Sequence, residues 1–490
     1  MAKKSVVKTG NVTADIVAKL WNLCNILRDD GITYNEYVTE LTYLLFLKML
    51  AETGQENRLP VDCRWGELDH REGLAQLDFY RQLLLDLGSV IKVTDKVVLS
   101  IFTDAQTRLR KPTNLKALTD EIDKLDWFSA REEGLGNLYE GLLEKNAAEK
   151  KSGAGQYFTP RPLIDCIVRL VKPQAGEIIQ DPAAGTGGFL VAADHYIKQE
   201  TDDFYALEAK QAEFQRKQAY RGLELVPDTH RLCLMNLILH GIESYVESGD
   251  SLSPDGGALG KADVILTNPP FGTKKGGGRP TRSDFTVTAE TSNKQLAFVE
   301  HIYRALKSGG RAAVVVPDNV LFEDNTGRDL RSQLMELCDL HTILRLPTGI
   351  FYAQGVKTNV LFFRRGESDR RNTQAVWVYD LRANMNSFGK TRPLTLADFA
   401  EFEAAFGDDP LGRSPRVDQG EEGRFRCFSR EQIADRNDNL DIAWLRDTSN
   451  DPEDEMTQPE EIAGAIALHL RNALSEIESF TMEIGKNNDC

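Results

Sequence analysis

Between residues 13 and 144 the apolar positions return every three to four residues. Ile16, Val17, Leu20, Trp21, Cys24 and Leu27 trace one stripe, and Val38, Leu41, Leu44, Leu45 and Leu47 trace another; this is the period of helices with one buried face. Thr33 and Glu36 stand at capping-box spacing ahead of the second stripe. No alternation of period two interrupts the stretch, so residues 1–145 are expected to form an all-helical domain. The apolar run Leu41–Leu50 is broken by Thr42, Tyr43 and Lys48, and at about half the length of a bilayer crossing it predicts a core helix.

The texture changes after Lys145, where an Ala-, Lys- and Gly-rich linker, 146–156, begins the next unit. Short apolar runs then alternate with helical stretches: Glu177–Gln180, Arg221–Leu225, Ser244–Gly249, Ala262–Leu266, Arg311–Val316, Thr342–Leu346, Asn359–Phe363 and Ala375–Tyr379. Continuous apolar runs separated by helices imply a mostly parallel sheet covered on both faces, a doubly wound α/β domain over residues 146–397. Ligands of such sheets sit outside the carboxyl ends of the strands, which is where functional residues should be sought. From 398 to 459 the chain is acidic and reads as irregular, with Asp408, Asp409, Glu421 and Glu422 in one stretch and Asp451, Glu453, Asp454 and Glu455 in another. A last helix is expected within 460–490, with Ile462, Ile466, Leu470, Ala473, Ile477, Phe480 and Ile484 in a narrow stripe of the coiled-coil kind.

Composition adds constraints. Lys plus Arg number 59 against 75 for Asp plus Glu, a formal charge of −16 over 490 residues, which argues against a general DNA-coating protein. It leaves room for a nucleic-acid enzyme whose basic surface is local or supplied by a partner. The cysteines, at 24, 63, 166, 233, 338, 427 and 490, form no Cys-x-x-Cys pair. With no secretory signal or membrane span, they point to a reducing cytoplasm.

The first candidate site follows the run ending at Gln180: Asp181-Pro182-Ala183-Ala184-Gly185-Thr186-Gly187-Gly188. Its glycines allow a tight turn and close approach to a ligand, yet it matches neither the dinucleotide fingerprint nor the phosphate-binding loop. An Asp at its head repels phosphate and accepts from an ammonium group, which favours a cationic, phosphate-free cofactor such as S-adenosylmethionine. A carboxylate for the ribose hydroxyls should end the next strand. Glu224 is chosen over Glu208, whose neighbours are strong helix formers. Asp250, one strand later, is the analogous acceptor for the adenine amine.

The second site is Asn268-Pro269-Pro270-Phe271, straight after Asp263–Thr267. The prolines remove donors and stiffen the turn, so the Asn268 side-chain oxygen and the Pro269 carbonyl become acceptors for one exocyclic amine. Two acceptors draw a conjugated amine toward tetrahedral geometry and free its lone pair to attack a methyl group. Phe271 offers a stacking face for a base taken out of its helix. Phe351 and Tyr352 are further candidates for stacking. The loop beside it carries Lys274, Lys275, Arg279 and Arg282, which can hold phosphates but cannot specify a sequence.

These spaced motifs resemble those of gamma-class amino-methyltransferases, and more narrowly the modification subunits of type I restriction-modification systems close to the enterobacterial K family. Gln156, Tyr157, Phe158, Thr159, Pro160 and Arg161 resemble the segment ahead of the cofactor turn in these enzymes, and the resemblance places them among the cofactor-binding residues, with Phe158 packing against the cofactor. Thr159 is expected to cap a helix with Pro160 at its first position. Thr291–Leu296, Gly309–Pro317 and Leu346–Phe351 also match. The resemblance implies a Rossmann-like sheet and N6-adenine methylation of DNA with S-adenosylmethionine. It also implies a complex with a second copy of the chain, a separate specificity subunit and, for cleavage, a restriction subunit. The same turn serves methyltransferases of RNA adenine or protein glutamine, and an inactive scaffold is a further alternative. A covalent cytosine-carbon enzyme is disfavoured because no Pro-Cys pair occurs.

Overall fold

The structure, a computed structural model, describes residues 12–32, 36–149, 158–272, 278–351, 356–385, 388–389, 392–445 and 463. Its described amino-terminal residues form helices and short 3-10 turns with no strand. The helix Tyr37–Glu52 buries Leu41, Leu44 and Leu45 together with Thr42, Tyr43 and Phe46, which leaves it no continuous polar face and makes it the centre of this part. Thr33 lies outside the described residues, and Glu36 makes no side-chain cap bond to this helix.

Nine strands form one sheet: β1 (Ile179–Asp181), β2 (Tyr220–Glu224), β3 (Glu247–Ser248), β4 (Ala262–Thr267), β5 (Leu306–Pro317), β6 (Cys338–Arg345), β7 (Thr358–Arg365), β8 (Ala375–Asp380) and β9 (Phe425–Ser429). Their order is β3-β2-β1-β4-β5-β7-β6-β8-β9. β7 runs antiparallel to β5 and β6, β9 runs antiparallel to β8, and the remaining pairs are parallel. The sheet is thus the expected doubly wound, mostly parallel one, with an antiparallel strand inserted between β5 and β6.

Both faces are covered, and successive side chains feed opposite cores. Ala313 and Val315 of β5 and Val360 and Phe362 of β7 belong to one core; Val314, Val316, Leu361 and Phe363 belong to the other. Because every residue of 310–317 and 358–363 is buried, these strands read as apolar runs. The first core continues into the helical part, from Leu41 and Leu44 through Leu190 and Leu234 to Val264. Polar ties reinforce that junction. Arg231 donates to the carbonyls of Ile101 (2.6 Å) and Thr103 (3.0 Å), and Lys96 pairs with Glu247 at 3.0 Å.

The stretch from 398, expected to be irregular, carries the helix Ala400–Phe406 and β9. Phe399, Phe402 and Phe406 are fully buried, and Phe402 and Phe406 lie against Phe362. The acids that gave the stretch its character, among them Asp408, Glu421 and Glu422, are exposed; counting charge hid an apolar spacing of three and four. The expected helix within 460–490 lies outside the described residues, apart from the helical residue 463. No described helix is long and apolar enough to cross a membrane.

One close approach fixes the pairing of β1 with β2. Gly222 on β2 pairs with Asp181 on β1, and a Cβ there would stand 2.8 Å from the Asp181 carbonyl oxygen. Gly222→Ala should therefore destabilise the fold by about 1–3 kcal/mol despite the better strand propensity of Ala. Urea unfolding checks this, and a variant as stable as the parent would contradict it.

Candidate active site

β1 lies between β2 and β4, and the chain leaves it in both directions across the sheet, so its carboxyl end opens the crevice where ligands of such folds bind. Asp181, the last residue of β1, is buried, and its Oδ1 accepts from the Ala183 amide at 3.0 Å. Burial lifts its carboxyl to about 7, against the Thr267 hydroxyl and the Ala183 N–H, which favour the charged form. The turn then closes on itself, with Gly187 N–H donating to Ala184 at 2.7 Å, before the helix Gly188–Glu200 begins.

The glycines of the turn divide in purpose. Gly187 has φ +82°, and a Cβ there would sit tightly, 3.1 Å from Cys233 Sγ; at Gly188 a Cβ would lie 3.0 Å from Ile164 Cδ1. Both serve packing against the protein's own helices. Gly185, at φ +55°, meets nothing closer than the Ala183 carbonyl at 3.9 Å, so its bare backbone faces open space. Thr186 contributes its carbonyl to Asn236 Nδ2 at 3.0 Å.

Of the two competing glutamates, the structure brings Glu224 to the turn. Its Oε2 accepts from Gly185 N–H at 2.9 Å and its Oε1 from Val226 N–H at 2.8 Å, while burial raises its carboxyl above the usual range. Glu208 is exposed at the start of the helix Ala209–Lys217. Asp250 follows β3, half-buried, with Oδ1 accepting from Leu252 N–H at 2.9 Å in a local turn. Two neighbours had no signal in the sequence. Ser251 is buried and donates to the Pro182 carbonyl at 2.5 Å, holding the Gly-rich turn to the loop after β3. Leu225 is 57 % exposed beside Glu224, an apolar face at the rim.

Asn268-Pro269-Pro270-Phe271 follows β4, whose register places Gln180 beside Ile265; the two turns therefore leave adjacent strands. Asn268 Nδ2 donates to Thr159 Oγ1 at 2.9 Å. Its Oδ1 is buried and finds no hydrogen-bond partner among the described residues. A buried acceptor left open in this way calls for a donor. Pro269 is buried, and Phe271 stands half-buried and edge-on to Phe351, ring centres 6.3 Å apart. Phe351 is 3 % exposed and so buttresses Phe271 from the core, while Tyr352 lies outside the described residues.

Several expected site residues are placed otherwise. Thr159 does not cap a helix: the helix Arg161–Val171 starts two residues later, Pro160 takes the cap position, and the Thr159 hydroxyl serves Asn268 instead. Arg161 is engaged by Glu140 through both carboxylate oxygens, at 2.9 and 2.6 Å, and by Asp165 at 2.9 Å; it ties the helical part to the sheet. Phe158 packs on the main core, and Gln156 and Tyr157 lie outside the described residues. In the basic loop Lys274 and Lys275 also lie outside them. Arg279 pairs with Glu290. Arg282 is 7 % exposed, forks onto both oxygens of Asp284 at 2.7 Å and reaches His301 Nδ1 at 3.0 Å. Burial and this guanidinium push His301 down to about 3, so it stays neutral and can accept. Arg282 is therefore engaged as an internal brace.

The fold and this site together define an S-adenosylmethionine-dependent methyltransferase whose acceptor is an amine. The comparisons make the class narrower. The N-6 DNA Methylase family matches residues 130–454, and the HsdM N-terminal domain matches residues 16–145. The methylase subunit of the type I restriction enzyme StySPI of Salmonella potsdam is 48% identical over 97% of this chain and 96% of its own length. The EcoKI methylase subunit of Escherichia coli K12 gives the same figures. The crystal structure of the EcoKI M protein matches with a TM-score of 0.57 at 45% identity, covering 96% of both chains. The chain belongs to the N-6 DNA methylase family. It is a methylation subunit of the type I restriction-modification kind, a DNA adenine-N6 methyltransferase that uses S-adenosylmethionine.

Since Arg282 is spent internally, Arg282→Ala should cost about 1–3 kcal/mol of stability and leave the salt dependence of DNA binding unchanged. A stable variant whose salt slope falls by about one would restore it to the DNA surface.

Proposed function

We propose that Asn268 and Pro269 receive the N6 amine of an adenine taken out of the duplex, next to a cofactor held by the turn at Asp181–Gly188. The observation that carries this reading is the buried, unpartnered Asn268 Oδ1 at the end of β4, the strand beside the Gly-rich turn. Bound S-adenosylmethionine supplies an electrophilic methyl group on sulfur. The residues present suit it: a carboxylate at Asp181 for its ammonium group, Gly185 backbone without a side chain, Glu224 for the ribose hydroxyls, Leu225 as an apolar face, and Asp250 for the adenine amine. Ala183, Thr186, Gly187 and Gly188 shape the cradle. Phe271, buttressed by Phe351, offers its ring to the flipped base. With Oδ1 of Asn268 and the Pro269 carbonyl accepting its two hydrogens, the amine pyramidalises. Its lone pair would then be free to take the methyl group as the carbon–sulfur bond breaks, and the proton lost after transfer would leave along one of those hydrogen bonds.

Homologues at 48% identity are subunits of type I restriction enzymes, so this chain acts as one member of an assembly. In our reading the assembly holds two copies of this chain, a separate specificity subunit that reads bases and, in the restricting form, a cleavage subunit, all in the cytoplasm. A charge of −16 and internally paired Arg279 and Arg282 support delegation of DNA binding to a more basic partner. The functional units in this reading are the helical domain 1–145, the catalytic domain 146–397, the segment 398–459 that borders it through β9, and residues 460–490, whose apolar stripe we assign to partner docking.

Asn268→Ala should lower methyl transfer about 10²–10³-fold while S-adenosylmethionine affinity stays within a few-fold; transfer at the parent rate would remove Asn268 from this role. Asp181 supplies a pH test. Its carboxyl, raised to about 7 by burial, is half protonated near neutrality, and only the charged form rewards an ammonium partner. Cofactor affinity should therefore rise with pH from about 6 to 8 and then level, and Asp181→Asn should flatten the profile. A parent profile flat over that window, measured by calorimetry, would overturn the assignment.

A further inference from the structure

Asn268 can serve an amine only if its carbonyl end, and not its NH2 end, faces the reaction. The two ends of an amide are nearly equal in size, so shape alone does not choose between them. In the structure the Asn268 NH2 donates to Thr159 Oγ1 at 2.9 Å, an orientation in which the hydroxyl acts as acceptor, and Oδ1 is left buried without a partner. Rotated by half a turn, the side chain would present a donor to the donor hydrogens of the incoming amine. Thr159 is 109 residues away in sequence, and its own position is tightly set. Prolines flank Arg161 at 160 and 162, and the Arg161 guanidinium is clamped by Glu140 from the helical part and by Asp165 from its own helix. The hydroxyl that steers the catalytic amide is thus anchored through two residues of chain to the helical domain.

We propose that Thr159 is a positioning residue for methyl transfer: it accepts the Asn268 NH2 group and thereby aims Oδ1 at the target amine. This rests on the reading of Asn268 as amine acceptor.

The test uses the full chain in the assembly in which the parent methylates duplex DNA. Thr159→Val keeps the shape and removes the acceptor; Thr159→Ser keeps the acceptor and removes a methyl. Thr159→Val should lower kcat by roughly ten- to a hundredfold, the loss expected for one hydrogen bond to an oriented group. The KM and calorimetric Kd for S-adenosylmethionine should stay within about threefold, and Thr159→Ser should restore kcat to within about threefold of the parent. Should the valine variant melt early, Thr159→Ala removes the same acceptor without branched bulk and takes its place. A valine or alanine variant with parental kcat overturns the proposal. So does equal damage from valine and serine, which would mark a packing role, and so does a tenfold or greater loss of cofactor affinity, which would make Thr159 a cofactor residue. Asn268→Ala is run beside them. If it is as active as the parent, the reading of Asn268 itself fails; if it is inactive while Thr159→Val is not, only the positioning role is lost.

Discussion

The pairing of β1 with β2 on one side and β4 on the other is the constraint on which the rest of the site depends. A strand of three residues held on both edges cannot shift without breaking both ladders, so the ends of three strands stay in register. That register brings a buried carboxylate (Asp181), a second carboxylate one strand over (Glu224) and an amide on the other side (Asn268) to one crevice. The absence of a side chain at Gly222 permits the first of these pairings, because the Asp181 carbonyl occupies the space a Cβ would need. The cofactor turn is then drawn toward β2 by the bond from Gly185 N–H to Glu224 and toward the loop after β3 by Ser251.

Burial sets the chemistry of this crevice. Asp181 and Glu224 have pKa values raised by loss of water, and each accepts backbone N–H groups that partly compensate. Such carboxyls gain most when a ligand brings positive charge or several hydroxyl donors, since those replace the lost solvation. The Asn268 amide faces the complementary situation, a neutral acceptor without a partner in a closed space. A protein accepts the cost of an unpaired buried oxygen where a substrate supplies the missing donor. The basic side chains described nearby are turned inward, Arg282 to Asp284 and His301 and Arg161 to Glu140, so they stabilise walls and add little positive field.

The helical part is more than an appendage to the sheet. It shares a hydrophobic core with β4 and β5, holds the helix after β2 through Arg231, and reaches the segment ahead of the cofactor turn through Glu140. A displacement of the helix Leu135–Glu149 would be felt at Arg161 and, two residues on, at Thr159. The helical domain and the Asn-Pro-Pro-Phe turn are thus joined through the Glu140–Arg161 pair and the Thr159–Asn268 bond.

The sequence by itself determined the class of fold and both turns of the site. Short apolar runs alternating with helical stretches fit a sheet covered on both faces, and the Asp-led glycine turn and Asn-Pro-Pro-Phe stand within a few residues of a strand end. It also favoured Glu224 over Glu208 through helix propensity, a local property, and Glu224 is the one whose carboxylate meets the Gly185 N–H. What pairs with what across a hundred residues was decided by the tertiary structure. The insertion of β7 between β5 and β6, the attachment of β9 to β8, the bond between Thr159 and Asn268 and the inward turn of Arg282 all depend on which surfaces meet. Hydrophobic period tells each segment how deeply it is buried, but not by whom. A hydroxyl or guanidinium binds whichever partner the packed core delivers to it, and that partner is chosen only when the chain has closed.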